Sequence, residues 1–155
     1  MPQFGLGFVG GKEKNRTADT PLEYNFNEDS DEDFTGSNAT ISTTASGLTT
    51  RAIKVSTTAG NGYAYKECVV MPSTEYRYYV KMVTAQTGSG NKSVAFGTSA
   101  GDTTNLGWTV ENTPGQAVTG TFTTGASQTA CFVGLKIQTS GKFAFWDDLI
   151  LEENI

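Results

Sequence analysis

The sequence predicts an all-β protein, a jelly-roll β-sandwich preceded by an extended N-terminal arm. Three observations carry this. Thr is 24 of 155 residues and Gly 18, while charged residues are only 17%, a composition suited to strands and turns. From Leu22 onward, runs rich in β-branched and aromatic residues recur roughly every ten residues, each closed by turn chemistry. No window sustains the period of about 3.6 residues expected of an amphipathic helix. A chain of this length makes one domain with a real core.

The arm spans residues 1–22 and the sandwich 23–155. In the arm, Phe4, Leu6, Phe8 and Val9 are separated by Gly5 and Gly7 and followed by Gly10, Gly11, Lys12, Lys14 and Arg16. Four large apolar side chains on a Gly-rich thread cannot build a core of their own. Such a segment is either a leader without fixed structure or an arm that docks these side chains into a partner, and anchoring is the expectation. It lacks the basic start and unbroken apolar stretch of a secretory signal. No segment approaches the ~20 apolar residues of a membrane span. The protein is therefore expected to be made and kept in a cytoplasm, or packaged into something assembled there.

Ten strands are predicted, at 23–27, 39–44, 48–56, 63–71, 75–84, 93–98, 107–111, 116–123, 129–139 and 142–151. Turn residues separate them, among them Ser46-Gly47, Gly60-Asn61-Gly62, Pro72-Ser73, Pro114-Gly115 and Ser140-Gly141. Alternation assigns faces. Tyr76, Tyr78, Val80 and Met82 share one side, and Arg77, Tyr79, Lys81 and Val83 the other. Cys131, Val133, Leu135 and Ile137 stand opposite Phe132, Gly134 and Lys136. In the last run, Phe143, Phe145, Asp147, Leu149 and Leu151 share a face, so Asp147 needs a cation or backbone N–H groups as partner.

Several functions are excluded on chemistry. A net charge of −5 and a pI near 4.6 disfavour nucleic-acid binding. His is absent, which removes His-activated nucleophiles and His metal sites. Asp147 and Asp148 are adjacent on a strand and point apart, so they cannot flank one glycosidic bond. No phosphate-binding Gly loop is present. The protein is read as a non-enzyme. Cys68 and Cys131 are either buried free thiols or, if their strands are neighbours, one disulfide.

Three stretches carry a family resemblance. They are Asp-Phe-Thr-Gly-Ser-Asn-Ala-Thr-Ile-Ser-Thr at 33–43, the run at 63–80 with Pro72-Ser73-Thr74-Glu75-Tyr76, and Phe-Ala-Phe-Trp-Asp-Asp-Leu-Ile-Leu-Glu-Glu at 143–153. In this order, over about residues 23–153, they resemble carbohydrate-binding-module-like β-sandwich domains, many of them parts of bacteriophage virions. Phe34 stands where that family often has Trp, and Ser73 where it has a turn Gly. The resemblance implies a non-enzymatic structural protein of a virion, a capsid decoration or cement protein or a tail accessory. The arm would anchor it to other virion proteins or to copies of itself, and it could aid adhesion to a host surface. The alternative is a carbohydrate-binding module that takes glycans on exposed aromatics.

Two candidate sites follow. In the resembling family the closing Asp and early acidic residues often hold a structural calcium ion. That implies Asp147 with Glu28 and Asp29, hard oxygen donors suited to calcium, against a solvated acidic loop with Asp147 on backbone donors. Sugar rings stack on aromatic faces beside polar groups, which points to Tyr63, Tyr65, Arg77 and Tyr79 on outward faces, against ordinary cross-strand packing or subunit contacts. Trp108 and Trp146 are further aromatics.

Overall fold

The computed structural model describes residues 21–24, 33–45, 51–85, 91–102, 106–110 and 115–155. Among these there are eleven strands and no helix: β1 (Leu22–Tyr24), β2 (Thr35–Ser37), β3 (Ala39–Ala45), β4 (Arg51–Thr57), β5 (Gly62–Val69), β6 (Glu75–Ala85), β7 (Lys92–Gly97), β8 (Gly107–Val110), β9 (Ala117–Thr123), β10 (Ala130–Ile137) and β11 (Phe143–Glu153). They form two antiparallel sheets packed as a jelly-roll sandwich. The six-stranded sheet runs β3-β4-β11-β6-β9, with β1 also on β11; the five-stranded sheet runs β2-β5-β10-β7-β8.

Ten of these strands answer the ten predicted runs. The eleventh, β2, is Thr-Gly-Ser, too short and too poor in β-formers to read from the sequence. Leu22 is already part of the sandwich: it is buried and pairs in register with Leu151.

The alternation of β6 and β10 is realised as read. Tyr76, Tyr78, Val80 and Met82 from one sheet meet Cys131, Val133, Leu135 and Ile137 from the other in a single core. An aromatic rivet crosses between the sheets. Tyr78 lies 4.7 Å from Phe96, and Phe96 lies 5.2 Å from Phe122, centroid to centroid. Gly120, opposite Tyr78 in register, leaves room for that ring, because a Cβ there would strike the Tyr78 phenol.

The face assigned to the last strand is corrected. Between the pairs Asp147–Lys81 and Ile150–Tyr79, β11 has two residues where β6 has one, a bulge. Asp148 takes a φ of +50°, a left-handed conformation that Asp tolerates better than most residues. Trp146 points into the main core, and after the step so do Leu149 and Leu151. Phe145 instead joins Ala52, Val83 and Phe143 in a small cluster outside that core, with the Lys54 ammonium 4.7 Å from the Phe143 ring centre.

The link between β5 and β6 is an arch between sheets, not a hairpin. Thr124 clamps it: its hydroxyl accepts from the Thr74 N–H at 2.9 Å and donates to the Met71 carbonyl at 2.5 Å. Ser73 takes a φ of +51° where the resembling family has Gly.

Trp146 is 1% exposed and projects from β11, the strand between β4 and β6, into the main core. Trp146→Ala should cost about 3–5 kcal/mol, measured as a lowered urea midpoint with the all-β far-UV spectrum retained in the folded fraction.

Candidate functional site

The arch decides the geometry of the site. Because β5 and β6 belong to different sheets, their outward residues lie on opposite sides of the molecule. Tyr63 and Tyr65 are on the outer face of the five-stranded sheet, Arg77 and Tyr79 on the outer face of the six-stranded sheet. The four candidate residues are thus split two and two between separate faces.

On the five-stranded sheet, register builds the surface row by row. Thr35, Tyr65, Gly134 and Ala95 align across β2, β5, β10 and β7; Ser37, Tyr63, Lys136 and Ser93 form the row below; Glu67, Phe132 and Gly97 form the row above. Their inward neighbours Ala64, Cys68, Val133 and Leu135 are core residues. Three half-buried aromatic rings touch along this face. Tyr63 and Tyr65 lie 5.7 Å apart, and Tyr65 and Phe132 6.4 Å apart. The row neighbour of Tyr65 on β10 is Gly134, which is buried, so the sheet carries no side chain between the rings at that point. A Cβ at Gly134 would meet the Ala95 carbonyl oxygen at 4.0 Å and no atom nearer.

A turn folds back over one side of this face. The Asp102 carboxylate accepts from the Thr98 N–H at 3.0 Å and from the Thr98 hydroxyl at 3.3 Å, and Asp102 N–H donates to Ser99 O. Gly101, at a φ of +78°, lies against the Tyr63 phenol; a Cβ there would come 2.5 Å from the Tyr63 oxygen. Polar groups stand around the rings: Glu67 is exposed and Lys136 half-exposed. Ser93 Oγ is buried on the same face and finds no hydrogen-bond partner among the described residues. Sequence reasoning missed Phe132 and the turn at 98–102. The alternation set Phe132 outward, but only the pairing of β10 with β5 brings it to Tyr65. Trp108 pairs in register with Ala95 on β7, and Trp146 is core.

On the six-stranded sheet, Arg77 Nε donates to Glu152 Oε1 at 2.7 Å, and Tyr79 is 37% exposed.

Asp147 is 5% exposed, and its Oδ1 accepts from the Asp148 N–H at 2.9 Å, within the bulge. A calcium ion wants six to eight oxygens, typically. Among the described residues no three of Cys, Asp and Glu gather where an ion could sit. Asp147 alone does not fit such a site, and Glu28 and Asp29 lie outside the described residues. So do the arm residues Phe4, Leu6, Phe8 and Val9. Cys68 and Cys131 stand directly opposite each other across β5 and β10, both buried and free. A hydrogen bond with Cys68, reinforced by burial, pushes the Cys131 thiol well above the ordinary thiol range, which keeps it protonated and inert.

No protein-family model matches the sequence, and no curated protein matches it. Solved structures do. A CBM22 xylan-binding domain, formerly the x6b domain, superposes over 88% of this chain and 96% of its own at a TM-score of 0.62 and 13% identity. The CBM22-1 xylan-binding domain of Paenibacillus barcinonensis Xyn10C does so over 90% and 97%, at 0.58 and 15%. The module TmCBM61, solved with β-1,4-galactotriose, covers 81% and 91%, at 0.55 and 11%. The chain has the β-sandwich fold of carbohydrate-binding modules, as its three motifs led us to expect.

Two outcomes follow. Asp147→Ala removes the acceptor inside the bulge and should lower stability by about 1–3 kcal/mol, read as a lower melting temperature. A matching loss when a chelator is added to the parent protein would show that a metal ion, and not backbone donors alone, holds Asp147. Second, Cys68 and Cys131 should resist iodoacetamide in the folded protein at mildly alkaline pH, and both should be alkylated in urea, as read by intact mass.

Proposed function

We propose that this chain is a non-catalytic glycan-binding domain whose site is the outer face of the five-stranded sheet. The observation that carries the reading is the contact row of Tyr63, Tyr65 and Phe132 beside Gly134. Pyranose rings present C–H faces that pack on aromatic side chains, and their hydroxyls need donors and acceptors at the rim. Glu67, Lys136 and Asp102 supply these. The turn at 98–102 holds Tyr63 in place and gives the face a wall, which lowers the ordering cost of binding. The fold supports the same reading, since similar modules were solved as xylan-binding domains or with β-1,4-galactotriose. Binding rather than turnover fits a face whose chemistry is stacking.

Virion assembly and adhesion remain a separate proposal. It rests on the apolar arm, and no observation on the described residues favours it over glycan binding.

Titration calorimetry with xylohexaose and β-1,4-galactotriose, preceded by a broad glycan array, tests the reading. Tyr65→Ala should weaken binding about tenfold or more, equal to roughly 1.4 kcal/mol, and Tyr63→Ala/Tyr65→Ala should abolish it at this face. Tyr65→Phe, which keeps the ring, should retain most affinity. A parent protein that binds no glycan, or a double variant that binds as the parent does while folding normally, would overturn it.

A further inference from the structure

We propose that the outer face of the six-stranded sheet is a second, independent subsite for a neutral sugar, so that one sandwich holds glycan on both sides. The proposal rests on the glycan reading above, and it adds a site that this reading does not need.

The face is laid out by register. Thr119, Tyr79 and Ile150 align across β9, β6 and β11, with Thr121, Arg77 and Glu152 in the next row. This arrangement exists because of the bulge at Asp148. With Leu149 and Leu151 turned into the core, Ile150 and Glu152 are the residues that face outward, and Glu152 comes opposite Arg77. The six side chains line a groove of ≈ 360 Å³, within the range of about 300–1,000 Å³ typical of small-ligand sites.

Its chemistry points to one class of ligand. Tyr79 is 37% exposed, and half-buried Ile150 lies beside it, so the base is apolar and open. The 2.7 Å Arg77–Glu152 pair neutralises both charges, which disfavours an anion or a cation as occupant. The remaining guanidinium N–H groups and the second carboxylate oxygen set donors and acceptors side by side, the pattern that complements vicinal hydroxyls. The exposed hydroxyls of Thr119 and Thr121 extend it along β9, an outer strand of this sheet among the described residues. An exposed ion pair contributes little to folding, so the pair is not needed for the sandwich itself. Sheets in a sandwich pack roughly 10 Å apart, with side chains on both outer surfaces, so one sugar cannot touch both faces.

The test is calorimetric stoichiometry with the tightest binder among xylohexaose, β-1,4-galactotriose and the glycans of the array. Chemical shifts of the backbone amides locate the sites. The parent should bind two equivalents. Tyr79→Ala should leave one, with shifts confined to 63–67, 98–102 and 132–136. Tyr63→Ala/Tyr65→Ala should also leave one, with shifts at 77–79, 119–121 and 150–152. One equivalent in the parent, unchanged by Tyr79→Ala and lost in the Tyr63→Ala/Tyr65→Ala variant, would overturn the second subsite and leave the first standing. No binding to any glycan would overturn both.

Discussion

β11 is hydrogen-bonded to β4 and β1 along one side and to β6 along the other, so its register sets the six-stranded sheet. The step at Asp147–Asp148 is what lets it do so. A strict two-residue alternation would put Phe145, Leu149 and Leu151 on one face and leave Trp146 on the other. The bulge shifts the phase within one strand, and Trp146, Leu149 and Leu151 all enter the core. The carboxylate of Asp147 takes the Asp148 N–H that the interrupted ladder would otherwise leave to find another acceptor. Bulges serve elsewhere to re-aim side chains beside binding surfaces, and here the outward pair Ile150 and Glu152 is its product.

The two outer faces are built differently. The five-stranded face has three aromatics in contact, small residues Gly134, Ala95 and Gly97 beneath them, and a turn over one side. A Cβ at Gly97 would come 2.5 Å from the Asp102 Cβ, so this glycine is what lets the turn lie down on the sheet. The six-stranded face has one exposed aromatic, an ion pair and open hydroxyls. In both cases the residues that could meet a ligand are outward on strands whose inward neighbours fill the core. Stability and recognition are thus carried by alternate residues of the same strands, and outward residues can change with little effect on the fold.

Much of this was legible in the sequence, for local reasons. The alternation of Tyr76 to Met82 and of Cys131 to Ile137 needs only the two-residue period of a strand, and the turns announce themselves as Gly, Pro, Asn and Ser. Two things were not legible. A bulge costs one residue and has no signature beyond a residue such as Asp148 that tolerates positive φ. Sheet membership is non-local. Pro72-Ser73 reads as a turn whether it returns the chain to the same sheet or lifts it to the other, and the clamp from Thr124 lies about fifty residues away in sequence. That is why the sequence offers Tyr63 and Tyr79 alike as outward aromatics while the fold separates them, and why Phe132 enters the site only through the pairing of β10 with β5.

The most direct measurement of the central claim is a crystal structure of the chain with a bound oligosaccharide. The account predicts a pyranose ring packed on Tyr65, flanked by Tyr63 and Phe132, over Gly134, with its hydroxyls reaching Glu67, Lys136 or Asp102. A sugar bound elsewhere with this face bare, under conditions where the chain binds it in solution, would contradict it.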